Sequence, residues 1–214
     1  MTRYADRQDA GVALAGALDV FAGRADVVVL GVPRGGVVVA APVATALNAP
    51  LDLVVVRKLG LPGRPELAMG AIADVAGEVA VVRNEDVLRR WPVPDEAAQA
   101  VLRTELAELH RRQDAYRGGR RPVSVAGRTA IVVDDGLATG ASMRAAVAGV
   151  RGLGAATVVV AVPVGAAEPC RLLQRWADEV ICLWTPRPFR AVAEAYRDFS
   201  PTSDEEVLRA LRLE

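Results

Sequence analysis

Short unbroken runs of β-branched and aliphatic residues recur along this chain, and each stops at a glycine or a charge before an alanine-rich stretch begins. Val27-Val28-Val29-Leu30, Leu53-Val54-Val55-Val56, Ile131-Val132-Val133, Thr157 to Val162 and Glu179 to Trp184 are the runs. Such runs read as strands buried on both faces, as in a parallel sheet. Between them lie helical patterns: residues 5–20, with Val12, Leu14, Ala15, Leu18 and Phe21 apolar; an Ala/Val-rich stretch ending near Leu47; Met143 to Leu153, closed by Gly152 and Gly154; and residues 166–177. Strand followed by helix, repeated, predicts an α/β fold: a parallel sheet flanked by helices, with right-handed crossovers and ligands at the carboxyl ends of the strands.

Three segments break the rhythm. Met69 to Val75 and Glu78 to Val82 read as a β-hairpin around Gly77, and Trp91-Pro92-Val93-Pro94 separates it from a long amphipathic helix over 95–117. That helix carries Ala97, Val101, Leu102, Leu106 and Leu109 on one side and a Glu108–Arg112 pair spaced to meet. His110 lies on its polar side, far in sequence from the glycine loops, and is given no catalytic role. Leu59 to Glu66 is dense in turn formers and is expected to be an irregular, flexible lid; Gly118 to Pro122 reads as a basic turn. From residue 184 the pattern turns irregular until Ser203 and Glu206, which form a capping box for a last helix through Leu211. Asp6 and Arg7 read as solvated charges at a helix start.

Composition narrows the class. With 52% hydrophobic and 24% charged residues in 214, the chain suits one compact α/β domain. Lys plus Arg and Asp plus Glu are 26 each, so no bulk field recruits nucleic acid or an anionic membrane. Cys170 and Cys182 are too few for a disulfide scaffold, and neither a secretory leader nor a membrane-length apolar run is read in the sequence. A cytoplasmic enzyme is the expectation.

The candidate chemistry sits where strands end. After Ile131-Val132-Val133 come Asp134 and Asp135, then Gly136-Leu137-Ala138-Thr139-Gly140-Ala141-Ser142. The small residues and the hydroxyls of Thr139 and Ser142 stand at a helix mouth, where free N–H groups and the dipole favour an anion. Two adjacent carboxylates would repel that anion and need hydroxyl donors or cations. A ribose 5′-phosphate offers both. An ordinary turn capped by Asp and Ser is the plain alternative. Arg34-Gly35-Gly36 follows the first strand and can hold an oxyanion; Arg57 and Lys58 stand at the tip of another strand. No Lys follows Gly140 as in a Walker loop, and no G-x-G-x-x-G opens a helix.

The stretch from Ile131 to Met143 resembles the phosphoribosyl-pyrophosphate (PRPP) signature of type I phosphoribosyltransferases, and most of the chain is similar to bacterial phosphoribosyltransferase-domain proteins of uncertain substrate. The resemblance implies one domain over 1–214, with 69–117 as an inserted hairpin and helix and 184–214 as a C-terminal hood. It implies that Asp134 and Asp135 hold the ribose hydroxyls and that Ala138, Thr139, Gly140, Ala141 and Ser142 hold the 5′-phosphate. Arg34, Gly35 and Gly36, with Arg57 and Lys58, would take pyrophosphate, and Pro33-Arg34 sits where the family often has a cis peptide. Asp134, Asp135, Lys58 and Arg57 are the implied catalytic set. Mg²⁺ is implied as cofactor, carried by PRPP with no direct protein ligand and reaching Asp134 or Asp135 at most through water. In that tail, which does not match a purine hood residue by residue, Trp184, Phe189, Tyr196 and Phe199 either stack a base, with Asp198 accepting its N–H groups, or simply pack the tail onto the sheet. The implied reaction is transfer of the phosphoribosyl group from PRPP to a nitrogenous base, purines included, by a homodimer; the alternative is a PRPP- or nucleotide-binding regulator. Hydrolysis is disfavoured, since H-E-x-x-H and G-x-S-x-G are both missing.

Overall fold

The computed structural model describes residues 3–75, 77–117 and 122–212. The basic turn expected at 118–122 falls, but for Pro122, outside them. Among the described residues seven strands form one sheet: β1 (Val27–Gly31), β2 (Leu51–Leu61), β3 (Arg64–Val75), β4 (Glu78–Arg83), β5 (Thr129–Val133), β6 (Thr157–Val164) and β7 (Glu179–Trp184). Their order is β4-β3-β2-β1-β5-β6-β7. β2, β1, β5, β6 and β7 run parallel, whereas β3 pairs antiparallel with β2 and β4 antiparallel with β3. The sheet is therefore mixed, because the expected hairpin joins its edge instead of standing apart.

Alternation along the strands divides the core into two layers. Val27, Val29, Leu53, Val55, Ile131 and Val133 face α1 (Arg7–Ala17), α2 (Gly35–Leu47), α4 (Asp95–Arg117) and α7 (Asp204–Leu211). Val28, Leu30, Val54, Val132, Val158 and Val160 face α5 (Ala141–Gly152) and α6 (Ala167–Leu173). α4 has the predicted bounds, and Glu108 accepts from both Arg111 and Arg112. Ser203 and Glu206 close the predicted capping box on α7. A short helix, α3 (Glu85–Arg90), was not expected; Asn84 caps it by accepting the Val87 N–H.

The expected lid at Leu59 to Glu66 is instead the end of a hairpin. β2 and β3 pair out to Leu61 and Arg64, with register shifts on both sides of Gly60. Its turn formers have local duties: Gly63 takes φ +75 in the turn, and a Cβ on Gly60 would lie 3.0 Å from the Pro65 carbonyl oxygen. The two ends of the chain also meet. Tyr4 bridges Tyr196 in parallel, donating its N–H to Ala195 (2.9 Å) and accepting from Arg197 (2.8 Å).

Candidate active site

β1 and β5 are adjacent parallel strands, so their carboxyl ends bring the two glycine loops together. The Val32 N–H donates to the Val133 oxygen at 2.9 Å, fastening one loop to the other strand. The fit beyond that point leaves no room for side chains. A Cβ on Gly35 would lie 2.0 Å from Asp135 Oδ2, and one on Gly36 would lie 2.7 Å from the Val133 oxygen and 2.8 Å from Asp134 Cα. The Pro33–Arg34 peptide at this corner is cis. The structure thus brings Gly35, Gly36, Asp134 and Asp135 into one cluster. Arg34 turns outward, 3.8 Å from Asp204 with its side chain 52% exposed.

Each acid has one oxygen held by the protein. Asp134 Oδ1 accepts the Asp135 N–H at 2.8 Å; Asp135 Oδ2 accepts Arg7 Nε at 2.8 Å. The other oxygen of each has no partner among the described residues. Burial pushes the Asp134 carboxyl well above the usual carboxylate range, and the neighbouring Asp135 charge pushes it further. Burial also raises Asp135, but Arg7 opposes it. The environment thus separates two neighbouring carboxyls in their readiness to ionise.

The phosphate-loop candidate is anchored at the residue before it. Leu137 donates to Val164 (2.9 Å) and accepts from Ala166 (2.8 Å). From there Ala138 to Ser142 run along the surface, with Gly140 at φ +75. Among the described residues the amides of Ala138, Thr139, Gly140 and Ser142 take no partner, while the Ala141 N–H points at Thr139 Oγ1 at 3.5 Å. These are open donors at the start of a helix of 12 residues.

Arg57 and Lys58 separate, because neighbouring residues on a strand face opposite sides. Arg57 Nε donates to Glu105 of α4 at 2.7 Å. Lys58 lines a cavity of about 420 Å³ on the other side, with Ala141, Ser142, Arg144 and Trp176. Only Lys58 shares a space with the phosphate-loop candidate. Period-two alternation could have separated the pair from sequence.

The tail aromatics pack chiefly on one another. Trp184, Phe189 and Phe199 lie against buried Tyr4, Val164 and Tyr196, and the Tyr196 and Phe199 ring centres are 4.9 Å apart. Asp198 Oδ1 accepts the N–H and hydroxyl of Ser200 at 2.9 and 2.6 Å, so its carboxylate is engaged within its own turn. The Tyr196 hydroxyl donates to the Asp135 carbonyl at 2.5 Å, and burial raises its pKa. The hood candidates thus buttress the acid loop from behind.

Arg7 departs most from its expected place. It is no solvated helix-start charge: its side chain is 12% exposed and paired with Asp135. Asp6 does keep to the helix start, where it caps the Asp9 N–H. The partner of Arg7 lies 128 residues away, so no local pattern could have pointed to it. Among the described residues no group of three or more His, Cys, Asp or Glu side chains is placed to hold a metal, and no helix is long and apolar enough to cross a membrane.

Comparison with known proteins places the chain in a family. Two Mycobacterium tuberculosis proteins, of strains CDC 1551 and H37Rv, provisionally named phosphoribosyl transferases, are 50% identical over 212 residues, 99% of this chain. The chain spans about half the length of these relatives (47%). The crystal structure of TT1426 from Thermus thermophilus superposes with a TM-score of 0.87 at 42% identity, covering 98% of both chains. The family model for the phosphoribosyl transferase domain matches residues 8–189, from the helix that supplies Arg7 to the aromatic tail, and the chain belongs to that family.

Proposed function

We propose that this chain transfers the 5-phosphoribosyl group of PRPP to a nitrogenous base and releases pyrophosphate. One observation above all supports the reading: two adjacent acids, each with one oxygen held and one left for a ligand, lie against a glycine loop that admits no side chain. The free oxygens of Asp134 and Asp135 would accept the two ribose hydroxyls. The open amides of Ala138 to Ser142, with the Thr139 and Ser142 hydroxyls, would hold the 5′-phosphate. The backbone of Gly35 and Gly36, with Lys58, would meet pyrophosphate, and Arg34 would join them by turning in from Asp204. Arg57 lies on the other face of β2, engaged by Glu105 through Nε and one terminal nitrogen, and would join the same anion only by leaving that pair.

In the reaction a base nitrogen forms a bond to C1 of the ribose as the bond from C1 to the pyrophosphate oxygen breaks. That oxygen leaves with the electron pair, and the base gives up its N–H proton to solvent. The transition state is cationic at the sugar and anionic at the leaving group, so catalysis is chiefly positional and electrostatic. Mg²⁺ carried in with PRPP would supply charge neutralisation at its phosphates; the protein's part is to orient the sugar.

Incubation with PRPP, Mg²⁺ and a panel of bases, following pyrophosphate, tests this directly. Release dependent on one base supports the transferase and names the acceptor. PRPP binding without release from any base favours the regulator and sinks the proposed reaction. Asp135→Asn is expected to lower turnover on the order of 10²–10³-fold with the fold intact.

A further inference from the structure

Arg7 makes more contacts than an ion pair needs. Its Nε donates to Asp135 Oδ2 at 2.8 Å and one terminal nitrogen donates to the Ser200 carbonyl at 2.8 Å. Its guanidinium carbon Cζ lies over the Phe199 ring, 4.0 Å from the ring centre. The side chains of Arg7 and Asp135 are 12% and 18% exposed, so this is no loose surface pair. Asp135 is braced from a second side, where Tyr196 donates to its carbonyl. Arg7 thus ties together the first turn of α1, the acid loop and the C-terminal tail.

From this arrangement we infer that Arg7 is a positioning residue for ribose recognition: it fixes the Asp135 carboxylate with one oxygen presented to the sugar and locks the tail behind it. The inference rests on the reading of Asp134 and Asp135 as ribose-binding acids. The forked guanidinium is essential to it. One terminal nitrogen and Nε point at two acceptors while Cζ sits over a ring, which a lysine ammonium cannot reproduce. The groups facing the Asp135 carboxylate are Arg7 from α1, Asp134 from its own loop and Tyr196 from the tail, and Arg7 is the one cation among them. Without it Asp135 would be free to rotate and would carry its burial unopposed.

The readout is the ribose increment, meaning the ratio of the Kd for inorganic phosphate to the Kd for ribose 5-phosphate, measured by calorimetry on the full chain. Phosphate alone reports the loop from Ala138 to Ser142; the ratio reports the sugar hydroxyls. Wild type is expected to show a large increment and Asp135→Asn a small one. Arg7→Gln should shrink the increment about tenfold, equal to about 1.4 kcal/mol, with the phosphate Kd within about twofold. Arg7→Lys should recover only part of it. A loss of fold alone would weaken phosphate and ribose 5-phosphate together. If wild type has no increment, the ribose-binding reading fails. If Asp135→Asn loses the increment while Arg7→Gln keeps it, the reading stands and the role of Arg7 is refuted. Should Arg7→Gln not melt cooperatively, Arg7→Lys decides: a reduced increment supports the role, and an unchanged one overturns it.

Discussion

At the scale of residues, two adjacent glycines should respond differently to the same change. A methyl on Gly35 would meet the side-chain atoms Asp135 Oδ2 and Arg7 Nε, at 2.0 and 2.6 Å, and these can move aside. Gly35→Ala should therefore fold while losing most of the ribose increment in the same calorimetry. A methyl on Gly36 would meet the backbone of Val133 and Asp134, which cannot yield. Gly36→Ala should destabilise the fold by about 1–3 kcal/mol in urea unfolding. Asp134 makes the opposite case. Its folded pKa is raised, so below the ordinary value of 3.8 it is protonated in folded and unfolded chains alike and burial exacts nothing. As pH rises, the unfolded chain ionises first and the native state loses ground. Asp134→Asn, whose amide oxygen can still accept the Asp135 N–H, should melt above wild type, by a margin that widens as pH rises above about 4. It should also be inactive. The acids were legible in sequence because two carboxylates directly follow a buried strand. Arg7 was not, because everything it touches lies in distant segments.

Among the elements, the buried parallel strands announced themselves, since runs such as Val27 to Leu30 have few other destinations in a folded chain. The β2–β3 hairpin did not. Pro62, Gly63 and Pro65 read as a loop in sequence, yet a short turn and one bulge absorb them and the ladder continues on either side. α3 escaped notice because six residues hold too little of a helical period. α7 was found through its capping box, and that box should matter. Ser203→Ala is expected to cost about 1 kcal/mol in urea unfolding. Asp204, next to the cap, accepts the Tyr116 hydroxyl of α4 at 2.9 Å, so loosening α7 also disturbs the long helix.

For the molecule as a whole, both core layers share one sheet, so unfolding should be a single cooperative transition. PRPP with Mg²⁺ at about 100 times its Kd should stabilise the chain by about 2.7 kcal/mol. At that same PRPP concentration Asp135→Asn should gain much less, and scanning calorimetry with and without ligand checks both. The α/β architecture was readable from periodicity; the mixed character of the sheet was not, because a hairpin does not declare which edge it will join. The bond from Arg7 to the Ser200 carbonyl spans 193 positions. A ribosome must therefore release the segment through Ser200 before that arginine can find this neighbour. The strands of the sheet can assemble earlier during synthesis, but competence to grip a sugar would wait for Ser200, so a nascent product stalled before Ser200 should be ordered yet blind to ribose.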